Sequence, residues 1–273
     1  MKGPHGPEAF DAFYRGLYGA RWDALKAALR SPPRAVPWSE GLTKPYFLDE
    51  ASVRAALALP LPEGAGGLVL DACAAPGGKT LILASRMAEG VTLVANELSR
   101  ERRRRLGAVL DGHLAPALRE RVRVAGFDAA AAGGLLSERG RFDAILLDAP
   151  CSSERHVLQS PAALSRWTPA RPRALAARQW ALLSSAFLLL KAGGSLVYAT
   201  CALNPAENDD VVSRLAKKYR GAFAPDPLAV EGAERSEWGS LILPDAADGR
   251  GPMFIARIRK GGNGEWGTFR VSL

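Results

Sequence analysis

Apolar runs and helical patterns alternate along most of the chain from residue 68 onwards. Runs with the length and composition of buried strands are LVLDA (68–72), VTLVANE (91–97), RVRVAGFD (121–128), DAILLD (143–148) and SLVYATC (195–201). Stretches with helical spacing separate these runs. Because strands that alternate with helices form a parallel sheet covered on both faces, the pattern predicts an α/β fold.

The predicted helices lie between these strands. One follows a glycine-rich turn and covers about 79–87, and a long one covers about 172–190. Another begins after Ser99, whose hydroxyl can cap its first turn. The last strong strand, MFIARIRK (253–260), follows SLILPD (240–245), so we expect the sheet to end in an antiparallel hairpin.

The N-terminal segment has a different pattern. Apolar side chains recur at helical spacing over residues 8–30, after which Pro32 and Pro33 interrupt the pattern. A further short helix is expected over about 50–59. We therefore expect three parts, namely an N-terminal helical region (1–45), a main domain (46–260) and a C-terminal tail (261–273).

Composition adds a partner and a cellular compartment. The chain has 273 residues and a formal net charge of +8, and arginine supplies 28 of its 36 basic residues. Arginine binds phosphate bidentately, so this balance favours a nucleic-acid partner. Three widely spaced cysteines without histidines at zinc spacing predict neither a disulfide framework nor a metal site. No apolar run is long enough to span a bilayer, and we expect a cytoplasmic protein with no membrane partner.

The glycine-rich turn LDACAAPGGKT fits two kinds of site. It lacks one glycine of a phosphate-binding P-loop, because Cys73 stands where that loop needs glycine; Asp148 could then hold magnesium. It also fits a Rossmann-like site for an adenosyl ligand, which needs an acid about 20 residues beyond the turn, where Glu97 stands. Asp128 and Asp148 end the next two strands, so three acids would surround one crevice.

Two of the three cysteines follow predicted strands. Cys151 comes just after the fourth strand, and Cys201 comes directly after the fifth. A single buried cysteine is more often structural than reactive. A pair at one crevice favours chemistry, so we expect both thiols to face the same cleft if the two strands are neighbours.

Three segments around these residues carry a resemblance to a known family. DACAAPGGKT, DAPCSS and YATCALNPAEND resemble signature segments of the Sun (NSUN) family of RNA cytosine-carbon-5 methyltransferases, which is RsmB/RsmF-like. The likeness extends from about Tyr46 to Lys260. It implies a Rossmann-like class I methyltransferase fold with a mostly parallel seven-stranded sheet, and S-adenosyl-L-methionine as the cofactor. FYRGLYGARW, YFLDEASV and SERH resemble the compact branch that acts on ribosomal RNA in mitochondria.

The chemistry of such a family explains why it would use two thiols. A thiolate that adds to carbon 6 of cytosine lets carbon 5 attack a sulfonium methyl, and a base must then remove the carbon-5 proton. By the resemblance, Cys201 is the nucleophile and Cys151 assists release of the product. Asp148 matches the acid near the ring nitrogen of the base, and Lys79 has an electrostatic or positioning role.

The resemblance also assigns contacts to the cofactor. The residues expected to bind it are Ala74, Ala75, Pro76, Gly77, Gly78, Lys79, Glu97, Arg102, Asp128 and Asp148. Within this set, Glu97 would accept hydrogen bonds from the ribose, Asp128 would reach the adenine, and Asp148 would lie near the methionine part. Glu97 replaces the commoner Asp. After DAPCSS this chain continues with ERHVLQSP instead of a glycine-rich basic loop, so the substrate contacts of that loop are not carried over.

RNA contacts are expected beside the cleft. The basic run of Arg100 and Arg102 to Arg105 is the densest, and such a run most often forms a solvated helix face. The segment 155–173 mixes arginines with His156 and Trp167, which makes it the better candidate for stacking and phosphate contacts. Residues that could either contact RNA or pack on the main domain are Tyr14, Tyr18, Arg21 and Trp22.

Together these observations predict an enzyme that forms 5-methylcytosine in small-subunit ribosomal RNA and acts as a monomer. The same chemistry on transfer RNA is the first alternative. A P-loop NTPase and an inactive RNA-binding assembly factor are the others. A need for a helper protein is not predicted either way.

Overall fold

The computed structural model describes residues 3–261, apart from the side chain of Leu136. All but the first residue of the predicted tail (261–273) lies outside the described residues. The strands are β1 (Ala35–Trp38), β2 (Tyr46–Asp49), β3 (Leu68–Asp71), β4 (Thr92–Asn96), β5 (Val122–Ala125), β6 (Phe142–Asp148), β7 (Leu190–Thr200), β8 (Phe223–Pro225), β9 (Glu234–Arg235), β10 (Ser240–Ile242) and β11 (Met253–Lys260). The α-helices are α1 (Gly6–Tyr18), α2 (Trp22–Arg30), α3 (Glu50–Leu57), α4 (Gly78–Arg86), α5 (Arg100–His113), α6 (Pro116–Arg119), α7 (Ala129–Ala132), α8 (Glu154–Gln159), α9 (Pro161–Ser165), α10 (Ala170–Leu189) and α11 (Asp209–Lys218).

Within residues 3–261, nine strands form one central sheet in the order β5-β4-β3-β6-β7-β11-β10-β9, with β8 also paired to β11. The first five strands in this order are parallel, whereas β11 is antiparallel to both β7 and β10. The predicted α/β fold with its parallel sheet and terminal hairpin is confirmed. The sheet has nine strands instead of seven because β8 and β9 have three and two residues, too few for an alternating pattern to show in the sequence.

Alternation along the central strands gives the core two layers. On β6, Ile145 and Leu147 pack on the same face as Phe187 of α10, whereas Leu146 packs on the opposite face with Leu81 of α4. All five side chains are fully buried. Burial of each such side chain stabilises the fold by roughly 1.5–3 kcal/mol. The helices thereby cover both faces of the sheet, and the ends of its strands are a place where a site can form.

The carboxyl ends of the parallel strands meet at one edge of the sheet. β6 and β7 are neighbours, with Asp148 opposite Ala199, so the loop of Cys151 lies beside the segment of Cys201. β3 lies between β4 and β6, which places the glycine-rich turn between Glu97 and Asp148. The strand order therefore gathers the candidate residues that sequence reasoning assigned to one crevice.

The N-terminal helices pack on the main domain. Phe10, Tyr14 and Trp22 form a buried aromatic cluster with Trp167. A hairpin of β1 and β2 follows the helices, and its pairing crosses the predicted boundary between residues 45 and 46. Pro37 lies within β1, where a two-stranded hairpin leaves an unpaired edge that tolerates proline. Within residues 3–261, no helix combines the length and hydropathy that crossing a membrane requires.

Candidate active site

A cleft of about 620 Å³ opens at the carboxyl ends of β3, β4, β6 and β7. Its lining includes Pro76 from the glycine-rich turn, Glu97 after β4, and both Cys151 and Cys201. A smaller cavity of about 100 Å³ adjoins it beneath the turn. Asp148 lines both spaces. One concave site thus brings together the glycine-rich turn, two acids and two thiols.

The glycine pair of the turn permits close packing at the start of α4. Gly77 has a φ of +124°, and a Cβ on it would lie 3.0 Å from Cγ1 of Val109. A Cβ on Gly78 would lie 2.8 Å from Cε1 of Tyr46. Both glycines are therefore needed where the helix approaches α5 and β2, which brings backbone N–H groups at a helix N-terminus to the cleft.

Glu97 is held at the mouth of the cleft. One carboxylate oxygen accepts a hydrogen bond from the backbone N–H of Ser99 at 2.9 Å, and the other pairs with Arg102 at 3.1 Å. Arg102 also donates to the carbonyl of Ala75 at 3.0 Å, which ties the glycine-rich turn to this acid. Ser99 caps α5 as its position in the sequence predicts. Arg102 therefore orients Glu97 and also lies beside the glycine-rich turn.

The carboxyl group of Asp128 is engaged in two contacts within the protein. Its side chain caps α7 by accepting from the N–H of Ala130, and it pairs with Arg178 at 2.8 Å. The Arg178 guanidinium lowers the pKa of this carboxyl. Phe127 and Ala129 line the cleft, and Asp128 between them is not part of that lining. Because Arg178 lines the cleft, Asp128 adjoins it, and the expected contact with adenine stays a prediction.

Lys79 and Asp148 form an ion pair at the inner end of the site. Their closest atoms are 2.7 Å apart, and Lys79 also donates to the hydroxyl of Ser52 at 3.2 Å. Burial would lower the pKa of Lys79, but the charge and hydrogen bond of Asp148 outweigh it and raise that pKa. Lys79 stays an ammonium committed to a carboxylate. A P-loop lysine has to reach phosphates, so this pairing speaks against the NTPase alternative.

The two cysteines of the cleft are in direct contact. Their sulfur atoms are 2.8 Å apart, and the backbone N–H of Cys201 donates to the sulfur of Cys151 at 3.3 Å. The hydroxyl of Ser153 lies 3.1 Å from the sulfur of Cys201. The hydrogen bond with Cys201, followed by burial, raises the pKa of Cys151 well above its usual value. Cys151 therefore keeps its proton and can donate it in a hydrogen bond to the sulfur of Cys201.

The third cysteine is not equivalent. Cys73 lies in the glycine-rich turn and lines the cleft, but burial raises its pKa to about 12. A thiol with that pKa has almost no thiolate at neutral pH. The structure thus separates one inert thiol from the contacting pair.

Sequence reasoning missed several polar residues beneath the site. Asp71 ends β3, accepts a hydrogen bond from Thr80 at 2.7 Å, and has a pKa raised to about 7 by burial. Ser152, Glu154 and Glu207 form a buried group below the two cysteines. Glu154 lies in SERH and Glu207 lies in NPAEND, each a few residues after one of the two cysteines. A charged residue so close to a buried strand end was the signal in the sequence that could have indicated them.

The residues proposed from the sequence to contact RNA are placed unequally. Trp167 is 1% exposed and belongs to the core, and the guanidinium of Arg155 donates to the carbonyls of Ser31, Gly249 and Gly251. Neither is available for stacking or phosphate contacts. The remaining candidates with exposed side chains in 155–173 are His156, Arg166, Arg171 and Arg173.

The N-terminal candidates also have internal roles. Tyr14 and Trp22 are buried, and Arg21 pairs with Glu234 and Asp245. Tyr18 donates to the carbonyl of Leu203 at 2.7 Å. Through these contacts the four side chains attach the N-terminal helices to the main domain, which is the packing role that the sequence left open for them.

Comparisons with known proteins find a family and relatives that match most of the chain. A family model described as 16S rRNA methyltransferase RsmB/F matches residues 57–259. Ribosomal RNA small subunit methyltransferase F of Escherichia coli O157:H7 is 39% identical over 228 residues, which cover 81% of this chain and 46% of that protein. The corresponding protein of Escherichia fergusonii is 38% identical over the same length. The chain spans about half the length of these curated relatives.

Solved structures share the fold. A methyltransferase homolog protein from Pyrococcus horikoshii superimposes with a TM-score of 0.71 at 23% identity, covering 93% of this chain and 95% of that one. NSun6 from the same organism, solved with the S-adenosylmethionine analogue SFG, gives a TM-score of 0.62 at 24% identity, covering 81% of this chain and 54% of that one. The Rossmann-like α/β fold expected from the sequence is confirmed.

Proposed function

The chain belongs to the RsmB/F family of 16S rRNA methyltransferases, and from this premise we propose that it methylates carbon 5 of a cytosine in small-subunit ribosomal RNA, with S-adenosylmethionine as the methyl donor. The observation that supports this proposal best is the contact between the sulfurs of Cys151 and Cys201 at the edge of an adenosyl-type cleft. A single thiol would suffice for attack alone. The second thiol fits a reaction that must also release its product.

The lining of the cleft supports a site for an adenosyl ligand. Glu97 presents a carboxylate that can accept hydrogen bonds from ribose hydroxyls, and Leu98 and Phe127 add apolar walls beside it. The backbone of the glycine-rich turn would hold the methionine part. When bound, S-adenosylmethionine supplies an electrophilic methyl group on a sulfonium.

The cysteines divide the work on the cytosine. As a thiolate, Cys201 adds to carbon 6 of the base, which makes carbon 5 nucleophilic. Before this addition, the thiol of Cys151 can donate a hydrogen bond to the sulfur of Cys201. Release of the product breaks the bond between carbon 6 and Cys201, and a base must take the proton from carbon 5. Cys151 is close enough to act there once it has lost its own proton. Because the pKa of Cys151 is raised, release should accelerate as pH rises above neutrality.

The Lys79–Asp148 ion pair provides fixed charge at the inner end of the cleft. As Cys201 adds, the ring nitrogen takes up a proton from water, and the carboxylate of Asp148 can accept a hydrogen bond from the N–H that forms. Lys79 holds this carboxylate in position, and Ser52 holds the ammonium. The pair thus orients an acidic group toward the space that both cavities share.

Replacement of each thiol tests the proposal. With 16S rRNA and labelled S-adenosylmethionine, Cys201→Ala should abolish turnover, whereas Cys151→Ala should accumulate a covalent RNA adduct, visible as a slow band on a denaturing gel. Cys73→Ala keeps the contacting pair and should still form adduct when combined with Cys151→Ala. Full turnover by Cys201→Ala would reject the mechanism.

The substrate class is tested separately. Bisulfite sequencing of ribosomal and transfer RNA after incubation with the protein distinguishes our proposal from the transfer RNA alternative. Isothermal titration with ATP and with S-adenosylmethionine tests the NTPase alternative, since ATP binding alone would reject the cofactor proposed here. Binding of RNA without methyl transfer by the intact chain would favour an assembly factor.

A further inference from the structure

A pair of carboxyl groups lies fully buried below the two cysteines. Glu154 begins α8 on the loop that carries Cys151, and Glu207 lies on the segment that follows Cys201. Both glutamates have no exposed surface. Neither has an ion-pair partner among the lysines and arginines that the structure describes. Two carboxyl groups in such a place require an explanation, because buried charges are normally paired.

Ser152 joins the two carboxyl groups. Its hydroxyl lies 2.8 Å from Oε1 of Glu154 and also within hydrogen-bond distance of Oε1 of Glu207. A serine hydroxyl has one proton to donate. If both glutamates were ionised, one of these two contacts would set an oxygen lone pair against a carboxylate. One additional proton in the group removes that conflict.

Each carboxyl group accepts hydrogen bonds from two donors besides the hydroxyl of Ser152. Oε2 of Glu207 accepts from the backbone N–H of Ser152 at 3.0 Å and from Nε2 of Gln179 at 2.9 Å, and Oε2 of Glu154 accepts from the backbone N–H of Leu203 at 3.2 Å. Oε1 of Glu154 accepts from the hydroxyl of Tyr14 at 2.5 Å. Burial, followed by the charge of Glu207, raises the pKa of Glu154 to about 7, and burial also raises the pKa of Glu207.

We propose that Glu154 and Glu207 are positioning residues that share one proton through Ser152 and so lock the loop of Cys151 to the segment of Cys201. In this arrangement the protonated carboxyl of Glu154 donates to the hydroxyl of Ser152, which in turn donates to the carboxylate of Glu207. The inference deepens the proposed function, on which it rests for the role of the cysteines. It assigns the contact between the two sulfurs to a support that touches no substrate.

The N-terminal helices take part in the same support. Tyr14 of α1 donates to Glu154, and the backbone N–H of Leu203, which follows Cys201, donates to Oε2 of Glu154 at 3.2 Å. Glu154 therefore connects α1, the loop of Cys151 and the segment of Cys201. This gives the N-terminal helices a function in the active site without contact with RNA.

The proposal predicts a dependence on pH near neutrality. As pH rises through about 7, Glu154 ionises, the two carboxylates compete for one hydroxyl proton, and the two segments should move apart. The ionisable groups that act on the pair from the surrounding elements are Tyr14 and Tyr18 of α1, Tyr198 of β7, Arg171 of α10 and Cys151. The three tyrosines have raised pKa values, so they stay neutral in this range. Cys151 also keeps its proton there.

A dithiol probe measures the contact between the segments without RNA or cofactor. Phenylarsine oxide forms two As–S bonds and releases water when two thiols are close together, and mass spectrometry can assign the bound pair. Glu154→Gln imitates the protonated carboxyl and should bind the probe like the wild type at pH 6. At pH 8, where a group with a pKa of about 7 is about nine-tenths ionised, the wild type should bind roughly tenfold more weakly than Glu154→Gln.

Matched variants decide between positioning and a general structural effect. Glu207→Gln keeps an oxygen for the N–H groups of Ser152 and Gln179, and its amide N–H can donate to the hydroxyl of Ser152, which then donates to an ionised Glu154, so its probe binding should not change between pH 6 and pH 8. Glu89→Gln alters an exposed glutamate before β4, at the opposite edge of the sheet, and should follow the wild type. The ratio of the probe affinity of the wild type to that of Glu154→Gln should change between pH 6 and pH 8, and an unchanged ratio would overturn the proposal. This comparison requires only that these two proteins fold.

Methyl transfer gives the second readout. The ratio of the kcat of the wild type to that of Glu154→Gln should fall by roughly tenfold from pH 6 to pH 8, while KM for RNA stays constant. Taking the ratio cancels the effect of Cys151, which both proteins share. A constant ratio would overturn the positioning role. If the wild type methylates no RNA but the probe results hold, the proposed function fails and the shared proton stands.

Discussion

The two halves of the cleft are built in different ways. The half formed by β3 and β4 consists of the glycine-rich turn and Glu97. Arg102 joins the two, because it pairs with Glu97 and donates a hydrogen bond to the carbonyl of Ala75 in the turn. The half formed by β6 and β7 holds two cysteines, and its support comes from α1, α8 and α10 through buried polar groups. One half depends on backbone geometry in a short motif, whereas the other depends on contacts between distant parts of the chain.

This difference predicts how each half fails. A change in the turn should affect ligand binding and leave the cysteine pair in place. A change in the buried support should affect the contact of the cysteines and leave ligand binding intact. Asp148 belongs to both halves, because it lines both cavities and pairs with Lys79. Changes at Asp148 should therefore remove the distinction.

The largest effect is expected for Asp148→Asn. The substitution leaves the ammonium of Lys79 buried without a counter-charge, which costs about 3 kcal/mol in the free energy of unfolding. Urea denaturation should show this loss, and both S-adenosylmethionine binding and methyl transfer should fall. The double variant Lys79→Met with Asp148→Leu should recover part of the stability but no activity. Unchanged unfolding of Asp148→Asn would mean that the ion pair contributes nothing.

A smaller effect, confined to one half, is expected for Gly78→Ala. The added Cβ would lie 2.8 Å from the ring of Tyr46, and overpacking of this kind costs roughly 1–3 kcal/mol. Titration calorimetry should show about tenfold weaker binding of S-adenosylmethionine, while phenylarsine oxide binds Cys151 and Cys201 as before. Gly107→Ala is the matched control, because a Cβ there meets nothing within 4 Å. Equal affinities of the two variants would contradict the role of the turn.

The same difference explains what the sequence could predict. The turn, Glu97 and the order of strands and helices are written in local patterns, and the structure confirms the α/β fold. The hairpin of β1 and β2 was missed because prolines in and before it indicated an interruption. Glu154 and Glu207 were missed because their meaning depends on Ser152 and on Tyr14, which is 140 residues away from Glu154 in sequence. No local period encodes such a contact.

Glu97→Gln and Asp128→Asn compare two acids that the family resemblance treats alike. Glu97 lines the cleft, so loss of its charge should weaken S-adenosylmethionine binding about tenfold, or about 1.4 kcal/mol. Asp128 is engaged by Arg178, which itself lines the cleft, so Asp128→Asn should change the affinity by less than about twofold. Titration calorimetry at one pH measures both. Equal losses would show that Asp128 turns into the cleft when the ligand binds.

The smallest effect, confined to the other half, is expected for Tyr14→Phe. Between pH of about 4.5 and 7 the folded protein holds a proton on Glu154 that the unfolded chain has lost, so folding stability decreases with rising pH in this window and is constant above it. The hydroxyl of Tyr14 favours the ionised form, and its removal raises the pKa of Glu154 further, so the decrease continues above pH 7. The cost of Tyr14→Phe should therefore grow from about 0.5 kcal/mol at pH 6 to about 1.5 kcal/mol at pH 8 in urea denaturation.

Tyr18→Phe, which removes a hydrogen bond to the carbonyl of Leu203, should cost about 1 kcal/mol at both pH values. A cost of Tyr14→Phe that does not change with pH would mean that its hydroxyl senses no titrating carboxyl, and the two halves of the cleft would then differ in position alone.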